Sequence, residues 1–595
     1  MRPSTLLILS LVALSCGGSD PHPQAADGGG LDAAVAPPPY LESGHSGNIA
    51  AAGAAGGAVD GGAPLADAST PEMDAASDSG KQPSSDAGDA GMGDAGPMND
   101  AAPPGPEPLA DCAPSSIDFN TAAPGISGDV EIDLSAWLQP VGVRERAYVA
   151  VLDAQGHVDS SYNGALHWTL PQGSELVDSP ALVAGEGYVT FRFHQPGTWR
   201  LAATLDHDTR QGDAGVIVYA TQLPIWELQV DEAAFEGIVA QPDANTEIPG
   251  NLSIAASVHP ARVRLHGASS RYFPKKSLRV ELDDPGPVTG TYGKKLLLRA
   301  EYNDKTLLRN WLAFRMFFAG THIPTPRSKL VHLRINDRYY GVMHNVERID
   351  DRLLDRWSLP RNGSMYEADP IDARANPGAN LTPLDAAAYP EVYQHQSGAI
   401  DYTDLRMLIE DTLSLPDAAL AKVIESTVAL DDYIDYLAMM AAIQNVDHVR
   451  KNYYLYRDPA ASRGWQVLPW DLDLSFGHLW SMEQDVLDET INTDSDIFVG
   501  EQIPERGGFY NQLITRVLDF PDYRARFQQR VGQLLSQVVT RERAQADVQR
   551  MLRCAAPDIA ADLNKRASNQ EYLQRVSELG DFLDARAQYV QSLPP

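Results

Sequence analysis

Gln444-Asn445-Val446-Asp447-His448-Val449-Arg450-Lys451-Asn452-Tyr453-Tyr454-Leu455-Tyr456, continued by Trp465-Gln466-Val467-Leu468-Pro469-Trp470-Asp471-Leu472-Asp473-Leu474-Ser475-Phe476-Gly477, is the stretch on which the reading of this chain turns. An apolar, helix-like run from Leu430 to Gln444 leads into it. Asp447 and Asn452 stand five apart directly after that run. Two short β-like segments follow, and the second ends in Asp471-Leu472-Asp473. Carboxylate and amide oxygens are the hard donors that Mg²⁺ takes. A separate carboxylate can serve as a base toward an incoming hydroxyl. Asp447, Asn452 and Asp471 offer that set, with Asp473 as an extra carboxylate. An Asp-x-Asp alone is a weak signal, and so is an Asp and an Asn five apart; their order and spacing together weigh more.

In protein kinases a catalytic-loop Asp is followed five residues later by an Asn that binds Mg²⁺, and a later Asp at a strand end binds the same metal. The order here is the same. Further blocks lie upstream. His266-Gly267-Ala268-Ser269-Ser270 precedes Phe273-Pro274-Lys275-Lys276-Ser277. Glu301-Tyr302-Asn303-Asp304-Lys305-Thr306-Leu307-Leu308-Arg309-Asn310 opens an apolar run. Ile335-Asn336-Asp337-Arg338-Tyr339-Tyr340-Gly341 is followed by Glu347-Arg348. In this order, and with Pro469-Trp470-Asp471-Leu472-Asp473, the blocks resemble the CotH kinase family of atypical secreted kinases, first known from bacterial spore coats. The resemblance runs from about Leu223 to the C-terminus.

The resemblance implies a two-lobed kinase-like domain that binds ATP with Mg²⁺ (or Mn²⁺) and phosphorylates Ser or Thr hydroxyls of a protein substrate. By it, Asp447 matches the catalytic Asp, and Asn452 and Asp471, with Asp473, match the metal side. Lys275 and Lys276 match a lysine block that neutralises phosphate charge. Arg309 is open between a phosphate contact and an internal ion pair, and Glu347 between a place near adenine and a structural role. The sequence departs from the family in its single-glycine turn Gly267-Ala268-Ser269-Ser270 and in Asn336-Asp337, where Asn-Gly is usual. Duller readings stand beside these. Asp304 suits a helix N-cap. Lys275 and Lys276 could be an exposed strand end, Trp470 core, and His448 a loop histidine.

Coarse patterning agrees with an α+β chain. The half from about Leu223 carries strand-like runs at Ala261–His266, Ser277–Leu282, Leu330–Ile335 and Tyr340–Val346, with a helix expected over Lys305–Phe318. Helices are expected later over Leu430–Gln444, Phe509–Leu518, Tyr523–Val539 and Arg541–Leu552. Residues 112–222 show short alternating segments such as Val130–Leu134, Ala147–Leu152, Tyr188–Phe193 and Thr198–Ala203, separated by turn residues. They suggest an immunoglobulin-like β-sandwich, with Val189 to Leu201 as a hairpin about Gln195-Pro196-Gly197. Residues 17–111 are mostly Ala, Gly, Asp, Pro and Ser, with little to bury, and read as a disordered tether.

The first residues read as an export signal. Arg2 precedes the apolar Leu6–Leu14, and the small Ser15 precedes Cys16, as in a bacterial lipoprotein box. The expectation is a signal over 1–16, lipidation at Cys16, and attachment to a membrane through that anchor only. Cys112 and Cys554 are the other cysteines; an oxidising compartment allows a bridge, and sequence leaves the pairing open.

The 595 residues carry 80 Asp+Glu against 47 Lys+Arg, a formal net charge of -33. That balance argues against nucleic acid as a partner. Three cysteines exclude a four-cysteine zinc site and a disulfide-dense scaffold. The functional expectation is an exported or surface-anchored Ser/Thr kinase. The alternative is a non-catalytic surface adhesin with a kinase-like domain. A metal-dependent hydrolase on Asp471 and Asp473 lacks a second His/Asp cluster.

Overall fold

The alternation in residues 126–219 produces two sheets in the computed structural model of the chain. The structure describes residues 104–595, apart from 116, 256, 285–287, 371–377, 399, 459, 461–463, 482–485, 489–490, 503–509 and 595. The export signal, Cys16, most of the expected tether and the first residue of the helix expected at 509 lie outside the described residues.

One sheet contains Ile126–Gly128, Gln211–Tyr219, Gly197–Leu205 and Leu166–Thr169, with Leu138–Pro140 added in parallel. The other runs Val130–Asp133, Arg144–Val151, Glu186–Phe193 and Ser174–Asp178. Val149, Val189, Phe191, Leu201 and Val216 from both sheets meet in one apolar core. The expected hairpin is corrected here. Glu186–Phe193 pairs with Arg144–Val151 and Ser174–Asp178, while Gly197–Leu205 pairs with Leu166–Thr169 and Gln211–Tyr219. The turn at Gln195-Pro196-Gly197 therefore carries the chain from one sheet to the other. Both strands point alternate apolar residues at the shared core, so their pattern cannot say which sheet each joins.

The next strands close a barrel in the order Ile225–Val230, Ile248–Ile254, Ser257–Leu265, Leu278–Leu282, Lys295–Arg299, Arg338–Val346 and Ser328–Ile335. Closure comes from the parallel pairing of Ile225–Val230 with Ser328–Ile335. Trp226, Val263, Val280, Leu298 and Met343 fill the interior.

The remaining chain builds a second, larger core. Its sheet has Ser364–Ala368 between Tyr393–Ser397 and Tyr453–Arg457, with Gln466–Pro469 at the far edge. Helix Leu430–Ile443 is apolar on nearly every side and is buried accordingly. Helices Gln512–Leu518, Pro521–Gln537, Arg541–Ala561 and Asn569–Ser592 complete this part. Arg309–Gly320, although it lies between barrel strands in sequence, buries Trp311, Leu312 and Phe317 in this second core.

That helix begins four residues later than its periodicity suggests. The buried Asp304 carboxylate accepts from the N–H groups of Thr306, Leu308 and Arg309, so residues 304–308 form a turn about one side chain. Asp304 thus does satisfy helix-start donors, from outside the helix. Residues 104–111, read as the end of the tether, are held in place: Arg315 donates to Glu107 O, and Arg550 to Leu109 O.

Candidate active site

Three strand ends of the four-stranded sheet converge. Ala368 pairs with Tyr453, and Tyr453 pairs with Pro469. Asp369, Asn452 with Lys451, and Trp470 with Asp471 therefore leave the sheet at the same end. Asn452 N–H donates to Ala368 O at 2.9 Å and closes the junction. Asn452 and Asp471 both occupy the left-handed backbone region, at φ 63° and 53°, and Glu301 does so at 46°. Asn and Asp tolerate that region; for Glu it is uncommon, and such strained positions cluster where function demands them.

Asp447 follows helix Leu430–Ile443 in a short 3₁₀ turn. Asn445 fixes that turn by accepting from the N–H groups of Asp447 and His448, both at 3.1 Å. Its Nδ2 donates to Ser475 Oγ at 3.1 Å, and Phe476 N–H donates to Ile443 O at 2.7 Å. One asparagine thus couples the loop of Asp447 to the loop after Asp473. His448 is buried, with Nδ1 2.8 Å from Asn445 O, and burial pushes its pKa down to about 4. It is a neutral loop histidine. Trp470 is core, edge-on to Tyr454.

Asp447 Oδ2 accepts from Asn452 Nδ2 at 2.8 Å and lies 3.0 Å from Lys451 Nζ. Lys451 is held in its charged form mainly by Asp447, against the cost of burial, with Asp471 and Asp473 adding to the effect. This lysine therefore feels both halves of the expected site. On the other side, Arg299 NH2 lies 2.5 Å from Asp471 Oδ1 and 3.8 Å from Asp473 Oδ2. Its Nε lies 3.2 Å from Glu301 Oε1. Asn310 spans the same region: Nδ2 donates to Glu301 Oε1 at 3.0 Å and Oδ1 accepts from Leu472 N–H at 3.1 Å. Asn303 Nδ2 donates to Asp473 Oδ2.

The electrostatics separate the two carboxylates of Asp-x-Asp. Burial pushes the Asp471 carboxyl up, but Arg299 and Lys451 outweigh it and hold the group below its ordinary value. Burial and the neighbouring Asp471 drive Asp473 well above the ordinary range. Burial also raises Glu301, against the pull of Arg299. Glu367 is raised to about 7 by burial and by Asp369, and Asp369 is raised by burial, against Lys451. His266, beside the glycine turn, is lowered to about 3 by burial, with Arg299 contributing.

Sequence reasoning missed Arg299, Glu301, Glu367, Asp369 and Lys451. Lys451, next to Asn452 in a polar run, and Glu301, at the head of a family-like block, were in view without a role. The other three stand in or beside strands that sequence could not place near Asp471. The expected nucleotide-side residues have other partners. Lys275 Nζ is fully buried 2.6 Å from Asp562 Oδ2 and donates to Val342 O at 2.8 Å. Lys276 Nζ donates to Arg271 O, and burial lowers its pKa. Arg309 forms a buried ion pair with Asp304. Glu347 is buried between Arg327 and Arg356. Among the described residues no hydrogen bond or ion pair joins these four to Asp447, Asn452, Asp471 or Asp473.

A family profile described as CotH kinase protein matches residues 263–590, more than half of the chain. The chain belongs to the CotH kinase protein family. The matched stretch takes in most of the barrel and every site residue described above. It begins within strand Ser257–Leu265, so the two sheets before the barrel lie outside it. The chain is 22% identical over 372 residues to the inner spore coat protein H of Bacillus subtilis (strain 168), which covers 62% of this chain and 97% of that protein. Among solved structures, domains 4 and 5 of the S-layer protein SbsC match at 16% identity with a TM-score of 0.13, over 17% of this chain and 55% of that one. SbsC domains 4–9 match at 13% identity with a TM-score of 0.17, over 27% and 29%. The chain thus spans about half, or less, of these solved chains.

Kinase-like chemistry implies ATP in general, and the donor set can be tested against its divalent ion. Among the described residues no group of three or more His, Cys, Asp or Glu side chains is arranged to hold a metal. Mg²⁺ does not need one. It is bound by one or two protein oxygens, with phosphate and water supplying the rest. Asp471, kept ionised and with its side chain 28% exposed, and the amide oxygen of Asn452 are donors of the right kind. The residues fit the ion. No described helix is long and apolar enough to cross a membrane.

Proposed function

We propose that this CotH-family chain is an atypical protein kinase that transfers the γ-phosphoryl group of ATP to Ser or Thr hydroxyls of surface or extracellular proteins. The observation that carries the reading is Lys451, which pairs with Asp447 and senses Asp471 and Asp473 at once. A base, a cation suited to phosphate and a metal ligand set would thereby act on one another. Asp447 orients the acceptor hydroxyl and takes its proton as the new oxygen–phosphorus bond forms and the bond to ADP breaks. Asn452 holds Asp447 in place. Lys451 supplies positive charge to the phosphoryl oxygens, the role that the sequence had suggested for Lys275 and Lys276. Asn452 and Asp471 would hold Mg²⁺, which when bound neutralises phosphate charge.

Export and lipidation at Cys16 belong to the same reading. The Cys112–Cys554 disulfide, with Cα atoms 5.2 Å apart, suits an oxidising compartment. Metabolic lipid labelling that survives Cys16→Ser would remove the anchor from the proposal.

The full chain incubated with labelled ATP and Mg²⁺ or Mn²⁺ is expected to label itself or a Ser-rich acceptor. Asp471→Ala is expected to abolish nucleotide binding and turnover together. Asp447→Ala is expected to keep binding and lose roughly 10²–10⁴ in transfer rate. A folded wild-type chain that binds no nucleotide overturns the kinase reading in favour of a non-catalytic surface-binding protein.

A further inference from the structure

The guanidinium of Arg299 lies among three carboxyl groups, those of Asp471 and Asp473 on the proposed metal side and that of Glu301 beside them. It touches Asp471 at 2.5 Å and Glu301 at 3.2 Å, and it reaches Asp473 at 3.8 Å. Neighbouring elements brace this arrangement. Arg299 ends a barrel strand paired through His344. Asn310 holds both Glu301 and the backbone between Asp471 and Asp473. Glu301 is 1% exposed, its backbone is left-handed, and its Oε2 is buried without a hydrogen-bond partner. Protein kinases of the ordinary kind place two Mg²⁺ ions around the equivalent of Asp471, and two-metal sites share carboxylates between cations about 3.5–4 Å apart. Here the Asp473 side of Asp471 already holds a cation. Arginine stays charged at every working pH and presents a fixed fork to carboxylates, so a second metal ion would have to displace it.

We propose that Arg299 is a built-in counter-ion in the position of a second divalent cation, so that the site takes one divalent ion per nucleotide, on the Asn452 side of Asp471. The inference rests on the kinase reading above. Arg299 acts on this reading as a positioning residue. It pairs with Asp471 and aims its carboxylate, and it leaves Asp473 and Glu301 with a protein cation in place of a solvent one.

The test counts ions. The full chain is dialysed to equilibrium against Mn²⁺ and a labelled non-hydrolysable ATP analogue, and bound Mn²⁺ is divided by bound nucleotide. The wild type is expected to hold one ion per nucleotide and Arg299→Lys also one. Arg299→Met, its folding checked by thermal melting, is expected to hold two, because Asp471, Asp473 and Glu301 then lose the guanidinium they share. Two ions per nucleotide in the wild type overturn the inference and leave the kinase reading standing, as does one ion in a folded Arg299→Met. If Arg299→Met does not fold, the counts for wild type and Arg299→Lys decide. A wild type that retains no nucleotide overturns both the inference and the kinase reading.

Discussion

Asp447 and Lys451 form the pair at which single side chains matter most. Their 3.0 Å contact puts a fixed positive charge beside the proposed base. Preorganised charge of this kind stabilises a transition state more than a ground state. Lys451→Ala is therefore expected to lower the phosphoryl-transfer rate by about 10²-fold and to change nucleotide affinity far less, as read by single-turnover labelling and a binding titration. Glu367 offers a second residue-scale prediction. Its carboxyl is raised to about 7, by burial first and by Asp369 next, while Gln396 donates to it at 2.9 Å. The folded chain thus holds this proton over a pH range where the unfolded chain has lost it. Stability from this group is present below the ordinary carboxylate value and falls as pH rises to about 7, by about 1–3 kcal/mol. Glu367→Gln is expected to flatten the decline in melting temperature between pH 5 and 7.5. An unchanged slope would show that the proton is not on Glu367.

At the scale of elements, the end of helix Arg541–Ala561 is a buried polar clamp on the barrel and on the N-terminal strand Gln211–Tyr219. Asp558 accepts from Tyr219 Oη at 2.7 Å and lies 2.7 Å from His332 Nδ1. One turn on, Asp562 accepts from Lys275 Nζ at 2.6 Å and from Val342 N–H at 3.0 Å. Gly341 makes this approach possible. A Cβ there would lie 2.5 Å from the Asp562 carboxylate, and the backbone has φ +130°. Gly341→Ala is expected to cost about 2–4 kcal/mol, because it strains the strand and separates a fully buried ion pair. Chemical denaturation checks it. The lysine block thereby acquires a structural account: Lys275 ties the barrel to the C-terminal helices.

Across the whole molecule, the two N-terminal sheets, the barrel and the helical part are joined by a few buried links. Arg334 of the barrel is fully buried and donates to Glu145 Oε2 at 2.9 Å and Gln139 Oε1 at 3.2 Å, both in the N-terminal sheets. Arg334→Met leaves Glu145 buried without its cation and is expected to cost about 3–5 kcal/mol. The Cys112–Cys554 disulfide spans 442 residues of sequence. Cys554→Ser is expected to lower the unfolding free energy by a few kcal/mol. It is also expected to open residues 104–112 to protease, since the bridge is the covalent tie on a segment that Arg315, Arg550 and the packing of Leu109 on the larger core otherwise hold. Equal proteolysis of wild type and variant would show that the segment holds without the bridge.

Local information was enough for much of this. The loose alternation of Ala147–Leu152, the strand-like run Leu330–Ile335 and the apolar run from Leu430 to Gln444 made those elements legible, because burial of one face or of all faces writes itself into a short window. The spacing of Asp447, Asn452, Asp471 and Asp473 was open to a reading from sequence, since Asp447 lies in a short turn and the other three flank the consecutive strands Tyr453–Arg457 and Gln466–Pro469. What stayed hidden depends on distant segments meeting. Nothing near Gln195-Pro196-Gly197 tells whether the next strand joins the same sheet or the facing one. Nothing near Lys275 announces Asp562, nor near Cys112 announces Cys554. Arg299 and Glu367 carry no local signal, and only the barrel and the sheet bring their charges to bear on Asp471. Short windows of sequence are enough to single out Asp447, Asn452 and Asp471 as candidate groups; the charges that face them come from the folded chain, because a charge acts through space and its neighbours along the chain do not reveal its neighbours in space.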